Sequence, residues 1–157
     1  MRPNLLFFIV ILLAFNLQCT SNYLPEPSVK KTTSFISQSP ISYCGLESFT
    51  KSESEHIIRE INRPFEVCEI KGQIKNEAGD WPEGTRVLFE LCKRGKNSKI
   101  EKVHSDKKGL FRIKHVENGI YCFKATVNGW QSVLGIIILS KEADPKSEIS
   151  FEMLLGI

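Results

Sequence analysis

Residues 103–125 have the sequence VHSDKKGLFRIKHVENGIYCFKA, and this stretch decides the fold class. Turn-forming residues at 106–109 and 117–119 separate three short segments in which apolar and polar side chains alternate. One face carries Phe111, Ile113, Tyr121, Phe123 and Ala125, and the other carries Arg112, Lys114, Cys122 and Lys124. The pattern predicts three strands with one buried face and one solvent-facing side. It also predicts a hairpin across the first turn, with Val103 opposite Ile113.

Length and composition are typical of one globular domain with accessory segments. The chain has 157 residues, of which 41% are hydrophobic and 25% are charged. Its formal net charge of +3 is too small for the basic stripe that nucleic-acid binding requires. We therefore expect no nucleic-acid partner.

The N-terminus has the features of an export signal over residues 1–18. Arg2 precedes an apolar run at 5–15, and a short polar end leads to Cys19. The run is shorter than the roughly 20 residues of a membrane-spanning helix. A cysteine at this place resembles bacterial lipoprotein signals, in which the cysteine is lipidated, although Gln18 replaces their usual small residue. We expect a lipid anchor at Cys19; the alternatives are an ordinary secreted or periplasmic product and an uncleaved anchor.

Two segments separate this signal from the main domain. Residues 19–43 are rich in Ser, Thr and Pro and lack periodicity, which predicts a disordered tether that holds a domain off a membrane surface. Residues 44–64 contain Phe49, Ile57, Ile58 and Ile61, a spacing that predicts a helix of two to three turns. Ser52 or Ser54 would cap this helix, and it would end before Arg63-Pro64.

Residues 65–157 alternate with period two. Apolar positions recur in 70–74, 87–91 and 149–153, with turn-forming clusters between them, and the run SVLGIIIL at 132–139 is typical of a strand buried on both sides. About seven short strands without helical crossovers predict an all-β fold, a seven-stranded antiparallel Greek-key sandwich with one short N-terminal helix.

The order of these elements resembles the carboxypeptidase regulatory-like domain of the transthyretin-like superfamily over residues 66–156. The matching pieces are Ile70-Gly72-Ile74 in the first strand, Asp106-Gly109-Phe111 at the turn, Gly119-Tyr121, and Gly129-Trp130 at a corner. The resemblance implies the sandwich fold. The similarity to transthyretin-like proteins concerns architecture and says little about activity.

Each signature residue has a structural role in such a sandwich. The Asp106 carboxylate can cap its own turn, and Gly109 and Gly119 allow backbone angles that other residues avoid. Phe111, Tyr121 and Trp130 are expected to fill the space between the sheets, the alternative being an exposed platform on which a ligand stacks.

The sequence predicts no catalytic, cofactor-binding or metal-binding residue. Relatives of the fold include hydroxyisourate hydrolases, which end in a characteristic tetrapeptide, whereas this chain ends Leu-Leu-Gly-Ile. They also include self-crosslinking pilus domains, which need a buried lysine. Lys71 and Lys75 lie at positions of the predicted strand that face outward, so neither is expected to be buried. The histidines, His56, His104 and His115, form no metal triad on the predicted elements. Common hydrolase and nucleotide motifs are absent from the sequence.

Four cysteines follow Cys19, an even number that favours disulfides in an exported chain. Cys92 and Cys122 share outward parity and are predicted as cross-strand partners, which leaves Cys44 for Cys68. Four cysteines allow other pairings, and free thiols are a further alternative.

Seven basic residues have outward parity and either form a basic face for anionic lipids or acidic glycans or belong to an ordinary solvated surface. They are Lys71, Lys75, Arg86, Lys102, Arg112, Lys114 and Lys124.

Together these features predict a non-catalytic exported binding or structural module, lipid-anchored in a bacterial cell envelope, with an unidentified protein or glycan ligand. The alternatives are an accessory domain of an envelope enzyme or transport complex and a small secreted hydrolase or carrier.

Overall fold

The computed structural model describes residues 39–52, 57–94 and 99–156. The predicted signal peptide, Cys19 and the tether as far as residue 38 lie outside the described residues, as do Ser54 and His56. The described residues form eight strands and one short helix, which confirms the predicted all-β, sandwich-like fold class.

The elements follow one another from an N-terminal helix into the strands. The bounds are α1 Pro40–Cys44, β1 Ile58–Val67, β2 Ile70–Asn76, β3 Leu88–Lys93, β4 Ile100–His104, β5 Leu110–Ile113, β6 Gly119–Thr126, β7 Ser132–Leu139 and β8 Ile149–Met153.

The strands form a larger sheet of order β1-β7-β6-β3-β4 and a smaller sheet of order β5-β2-β8. Two neighbouring pairs, β1 with β7 and β2 with β8, are parallel, and the other pairs are antiparallel. The prediction of seven strands in purely antiparallel sheets is therefore wrong for the described residues, while the Greek-key connection stays a prediction.

A stack of phenylalanine rings forms the centre of the core between the sheets. Phe89 and Phe123 come from the larger sheet, and Phe111 and Phe151 come from the smaller one. Neighbouring ring centroids lie 4.1 Å apart for Phe89–Phe111, 5.2 Å for Phe89–Phe123 and 5.4 Å for Phe123–Phe151. Gly135 lies opposite Phe123 in the β6–β7 register, and a Cβ at this glycine would lie 2.5 Å from the Phe123 ring. The glycine therefore makes room for the central ring of the core.

The Asp106 turn connects the two sheets. Asp106 Oδ1 accepts hydrogen bonds from the backbone N–H groups of Lys108 and Leu110, both at 2.8 Å. Gly109 has φ +76°, and a Cβ there would lie 2.0 Å from the carbonyl oxygen of Ile74. The hairpin predicted across this turn is wrong, because β4 pairs with β3 in the larger sheet and β5 pairs with β2 in the smaller one. Alternation identifies the strands and their faces, but it does not identify their partners.

The helix predicted between residues 46 and 61 is wrong where the structure describes it, because Ile58 onwards belongs to β1. This strand contains a bulge in which the four-residue step from Ile61 to Phe65 matches the two-residue step from Gly135 to Ile137 on β7. The prediction failed for a different reason: Ile58 packs with the apolar cluster that contains Phe49 and Leu134, whereas Ile61 packs against the main core, so the apolar residues of β1 do not keep to one face. The helix observed at Pro40–Cys44 lies instead at the end of the predicted tether.

Candidate functional site

Residues 39–50, called here the cover segment, lie on the outer face of the larger sheet. Cys44, the last residue of α1, forms a disulfide with Cys122 of β6, with a Cα–Cα distance of 5.7 Å and a sequence separation of 78. The predicted partners are therefore wrong: Cys44 is joined to Cys122 and not to Cys68, and Cys122 is not joined to Cys92. Cys122 has the outward parity that the sequence predicts, but the cover segment buries it.

A second, smaller apolar core forms beneath the cover segment. Its buried members are Phe49, Cys122 and Leu134, and partly buried side chains from both layers pack against them: Ile41, Tyr43, Cys44, Leu46, Ile58 and Cys92. This core explains why β7 is apolar on both faces. Val133 and Ile137 contact the core between the sheets, while Leu134 contacts the cover segment.

A row of charged residues crosses the same face beside this apolar core. Glu90 on β3 lies between Lys102 on β4 and Lys124 on β6 in the strand register. Glu90 is fully buried, and its carboxylate accepts hydrogen bonds from the backbone N–H of Thr50 at 3.0 Å and from its hydroxyl at 2.7 Å. Lys102 Nζ lies 2.8 Å from Glu90 Oε1. The end of the cover segment is thus bonded to a buried carboxylate.

Lys124 is the second fully buried charged residue of this row. Its ammonium group donates a hydrogen bond of 2.8 Å to the carbonyl oxygen of Thr50. Burial lowers the pKa of Lys124 below its usual range, because removal from water penalises the charged form. Thr50 therefore bonds both Glu90 and Lys124 and joins the cover segment to two neighbouring strands.

The other end of the cover segment is held by different contacts. The backbone N–H of Ile41 donates to Glu60 Oε2 on β1 at 3.0 Å. The Arg94 guanidinium, just beyond β3, lies 3.8 Å from the centre of the Tyr43 ring, a cation–π contact. The segment is consequently fastened by a disulfide, by side-chain contacts at both ends and by apolar packing between them.

These contacts define what the covered face can do chemically. The carboxylate of Glu90 bonds the backbone N–H and the hydroxyl of Thr50 and also pairs with Lys102, while the ammonium of Lys124 bonds the carbonyl oxygen of Thr50. The arrangement therefore holds the end of the cover segment on the sheet. Removing one partner from such a buried charged group leaves the other uncompensated, which is strongly destabilising. The alternation of residues along the strand places Lys124 on the outer face, but it does not reveal that Thr50 covers this side chain.

A groove of about 660 Å³ lies at the open side of the sandwich, between edge strands β1 and β8. Apolar side chains of β1, including Ile61 and Phe65, line it together with the charged Arg63, Glu66 and Glu148. At one end of this side, Arg59 Nη2 on β1 donates a hydrogen bond to the carbonyl oxygen of Glu152 on β8. The size of the groove and its mixture of apolar and charged lining residues suit a small ligand or part of a peptide.

The three aromatic residues expected between the sheets differ in their burial. Phe111 and Tyr121 are buried in the core, and the Tyr121 hydroxyl donates to the carbonyl oxygen of Glu117 at 2.6 Å. Trp130 is half-buried at one end of the sandwich, where its ring centroid lies 5.4 Å from that of Trp81. Trp130 Nε1 donates to the Asn76 side chain at 3.3 Å. Gly129, before it, has φ +88°, and Gly119, the first residue of β6, has φ +156°, an angle that other residues rarely adopt.

The signature glycine of β2 is required by a close backbone contact. A Cβ at Gly72 would lie 1.8 Å from the carbonyl oxygen of Ile149, its register partner on β8. The position therefore sets the approach of two strands in the smaller sheet.

The seven basic residues do not share one face. Lys71, Lys75 and Arg112 lie on the outer side of the smaller sheet, where Glu69 pairs with Lys71 at 3.4 Å and with Arg112 at 3.1 Å. Lys102 and Lys124 lie on the covered face of the larger sheet, and Arg86 Nη1 donates to the carbonyl oxygen of Ser105. Lys114 follows β5. The hypothesis that these seven residues form a single basic face is therefore wrong.

The described histidines also lie apart in the fold. His104 ends β4, and His115 lies between β5 and β6 with a positive φ of 60°. Within residues 39–52, 57–94 and 99–156, no group of three His, Cys, Asp or Glu side chains is arranged to hold a metal ion.

Comparisons with known proteins add no family to this description. No protein-family model matches the chain, and no curated protein matches it. The fold class that stands is an all-β, sandwich-like domain with a disulfide, and the resemblance to a carboxypeptidase regulatory-like domain stays a prediction.

Proposed function

We propose that this protein is an exported, non-catalytic binding or structural module that is tethered to a bacterial cell envelope through a lipid on Cys19. The observation that carries the proposal is the Cys44–Cys122 disulfide, which fastens the chain to the larger sheet. Disulfides persist in oxidising compartments outside the cytosol, so this bond is compatible with export. The signal-like sequence at residues 1–18 supports the same location.

The position of the fastening suits a tethered module. A pull on residues preceding the cover segment would first load the Ile41 and Tyr43 contacts and the disulfide at Cys44, so that Thr50 and β1, which follow along the chain, are protected from it. Among the described residues, no helix is both long enough and apolar enough to span a membrane. A lipid on Cys19 would attach the N-terminal end of such a module to a membrane surface.

The groove between β1 and β8 is the surface that we assign to a binding role. It combines apolar side chains with one positive and two negative ones, Arg63, Glu66 and Glu148. A protein or glycan ligand remains part of the proposal, and so does the accessory-domain alternative, in which the ligand belongs to an envelope enzyme or transport complex.

The anchoring is tested by mass spectrometry of the mature protein from bacterial membranes. The proposal expects an N-terminal cysteine at position 19 with a diacylglyceryl mass, and Cys19→Ala should release the protein from the membrane fraction. A mature N-terminus elsewhere, without lipid, would contradict the anchor. Gln18→Ala is the matched control, because it retains Cys19 and brings the signal closer to the usual lipoprotein pattern.

A further inference from the structure

The smaller sheet is narrower than the larger one, and the shortfall lies on the side of β1. The larger sheet has five strands and the smaller sheet has three. The Asp106 turn joins the edge strands β4 and β5, so the two sheets are aligned at that side. Phe111 of β5 stacks on Phe89 of β3, and Phe151 of β8 stacks on Phe123 of β6. Within the described residues, β7 and β1 therefore extend beyond the last strand of the smaller sheet.

The core-facing side chains of β1 consequently have no strand opposite them in the part of the chain that the structure describes. Ile61 and Phe65 pack against the main core but stay partly exposed, and both line the groove. The Phe65 ring still reaches the smaller sheet, because its centroid lies 6.4 Å from that of Phe151 on β8. The groove thus lies where a fourth strand of the smaller sheet would lie.

The free edge of β8 directs backbone groups towards this groove. The carbonyl oxygen of Met153 accepts a hydrogen bond of 3.2 Å from the N–H of Glu77, just after β2, so Met153 is directed towards that strand. Successive residues of a strand direct their backbone groups to opposite edges, which turns Glu152 and Ser150 towards the open side. The hydrogen bond from Arg59 to the carbonyl oxygen of Glu152 agrees with this direction. Ser150, which lines the groove, therefore offers an N–H and a C=O to an incoming chain.

The edge of β1 is less suited to pairing with another strand. Pro64 has no N–H, and the bulge between Ile61 and Phe65 interrupts the regular spacing of the strand. Proline, bulges and charged residues are features that protect edge strands from pairing. Strand β8 contains no proline and pairs with β2 without a register shift. An added strand would hence pair with β8 and place alternate side chains against Ile61 and Phe65.

We propose that the groove binds an extended peptide segment of a partner protein as a fourth strand of the smaller sheet, the mode called β-augmentation. Apolar side chains at alternate positions of the peptide cover Ile61 and Phe65, and its backbone pairs with the edge of β8 at Ser150. Arg63 and Glu66 line the groove and are exposed, and neither forms an ion pair with another described residue. They favour a peptide that carries one acidic and one basic side chain.

This inference rests on the binding role proposed above for the groove, and it selects a protein ligand over a glycan. A peptide strand has N–H and C=O groups at the regular spacing of a sheet edge, whereas an oligosaccharide has no such series. The side chains in the groove alone would fit either ligand. The free backbone edge of β8 is the feature that favours a peptide.

The test measures binding of a synthetic probe peptide to the full chain by isothermal titration calorimetry. The probe is capped, about seven residues long, and alternates valine with threonine between a terminal lysine and a terminal glutamate. Two further peptides are N-methylated at the odd or at the even positions. We expect the probe to bind saturably and at least one methylated peptide to bind at least about ten-fold more weakly, since methylation removes hydrogen bonds to the edge strand.

Two substitutions at one position separate the backbone from the side chain. Ser150→Pro removes the N–H from the edge of β8 and should weaken binding of the probe by about ten-fold. Ser150→Ala is the matched control, because it retains the backbone groups and should bind as the wild type. Circular dichroism and thermal unfolding check that both variants are folded.

Hydrogen–deuterium exchange of the Ser150 amide tests the same contact without a variant. The amide should exchange rapidly in the free protein and at least about ten-fold more slowly with saturating probe peptide. Slow exchange before any peptide is added would overturn the inference. Slow exchange that is independent of protein concentration would place a segment of the same chain in the groove, and slowing that increases with concentration would place a second copy there.

The inference is also overturned if the probe does not bind, if both methylated peptides bind as tightly as the probe, or if bound probe leaves the Ser150 amide unprotected. Chitohexaose is titrated in parallel to separate this inference from the proposed function. If chitohexaose binds and the probe peptide does not, the peptide inference fails while the binding role stands. If neither binds, the inference fails, and the anchoring at Cys19 is still decided by mass spectrometry of the mature protein.

Discussion

The outer faces of the two sheets differ in what covers them. On the larger sheet, Leu134 is fully buried beneath the cover segment, and Glu90 and Lys124 are bonded to Thr50. On the smaller sheet, Leu110 is 47% exposed, and its neighbours are charged residues with partners at the surface. The same two-layer fold therefore has one outer face that forms a second core and one that remains in solvent.

The sequence of each strand reflects this difference. Strands β2 and β8 alternate between buried and more exposed positions, as expected where one face meets water. Strand β7 has the sequence SVLGIIIL and is buried along almost its whole length. A strand that is apolar on both faces requires a layer on each side, and the cover segment supplies part of the second layer.

Removing the disulfide should have the largest effect on the covered face. We expect Cys44→Ser to lower the free energy of unfolding by about 2–5 kcal/mol, because the bond closes a long loop. Urea denaturation measures this loss, and reductant should bring the wild type to the level of the variant. Cys68→Ser, in the β1–β2 connection, is the control. An unchanged stability of Cys44→Ser would mean that the disulfide contributes nothing to the stability of the fold.

Two identical substitutions compare the outer faces directly. Leu134→Ala should lower the free energy of unfolding by about 2–4 kcal/mol, because it leaves a cavity under the cover segment. Leu110→Ala, on the exposed face, should change it by less than about 0.5 kcal/mol. Chemical denaturation of both variants gives the comparison. Equal effects would show that the two faces do not differ in burial.

The Thr50 hydroxyl should have a smaller effect. Thr50→Val retains the shape but removes the donor to Glu90 and the acceptor for Lys102, at 2.7 Å each. We expect a loss of about 1–2 kcal/mol in the free energy of unfolding, since the buried Glu90 carboxylate loses a hydrogen bond. Ser48→Ala, exposed on the same segment, is the control for thermal or urea unfolding. A neutral Thr50→Val would argue against the charged row as a fastening.

The smallest expected effect is the pH dependence of Lys124. Its pKa is lowered by burial, so between this value and the ordinary pKa of 10.5 the unfolded chain holds more protons than the folded one. Stability should therefore rise with pH in that window, and the cost of burying the ammonium is fully present below it. Relative to Lys124→Met, the wild type should gain stability as the pH rises towards 10.5.

Both proteins are measured without reductant, so that the Cys44–Cys122 disulfide stays intact during this comparison. A difference between wild type and Lys124→Met that is constant with pH would show that Lys124 titrates as an exposed lysine.

The sequence predicts those parts of the fold that depend on local chemistry. Alternation identifies the core-facing residues of β2 and β8, and the double-faced apolar run identifies β7 as buried. The Asp106 turn follows from an aspartate that bonds backbone N–H groups and a glycine at positive φ. These features need only a few adjacent residues, so they can be recognised without the tertiary structure.

The remaining features depend on contacts between distant parts of the chain. Ile58 and Ile61 of β1 pack against different cores, so the strand shows no period of two, and the pairing of β4 with β3 cannot be distinguished from a hairpin with β5 by alternation alone. The sequence favours Cys68 as the partner of Cys44, because the position of Cys44 over Cys122 depends on the cover segment crossing the sheet. The burial of Lys124 by Thr50, 74 positions away, has no local signal.

The account depends most on residues 39–50 being fastened over the larger sheet. Hydrogen–deuterium exchange of the backbone amides of Ile41 and Thr50, which donate to Glu60 and Glu90, measures this directly. We predict slow exchange at both amides in the oxidised protein and faster exchange after reduction of the disulfide, while the β7 amides stay protected. Rapid exchange at both amides with the disulfide intact would contradict the account.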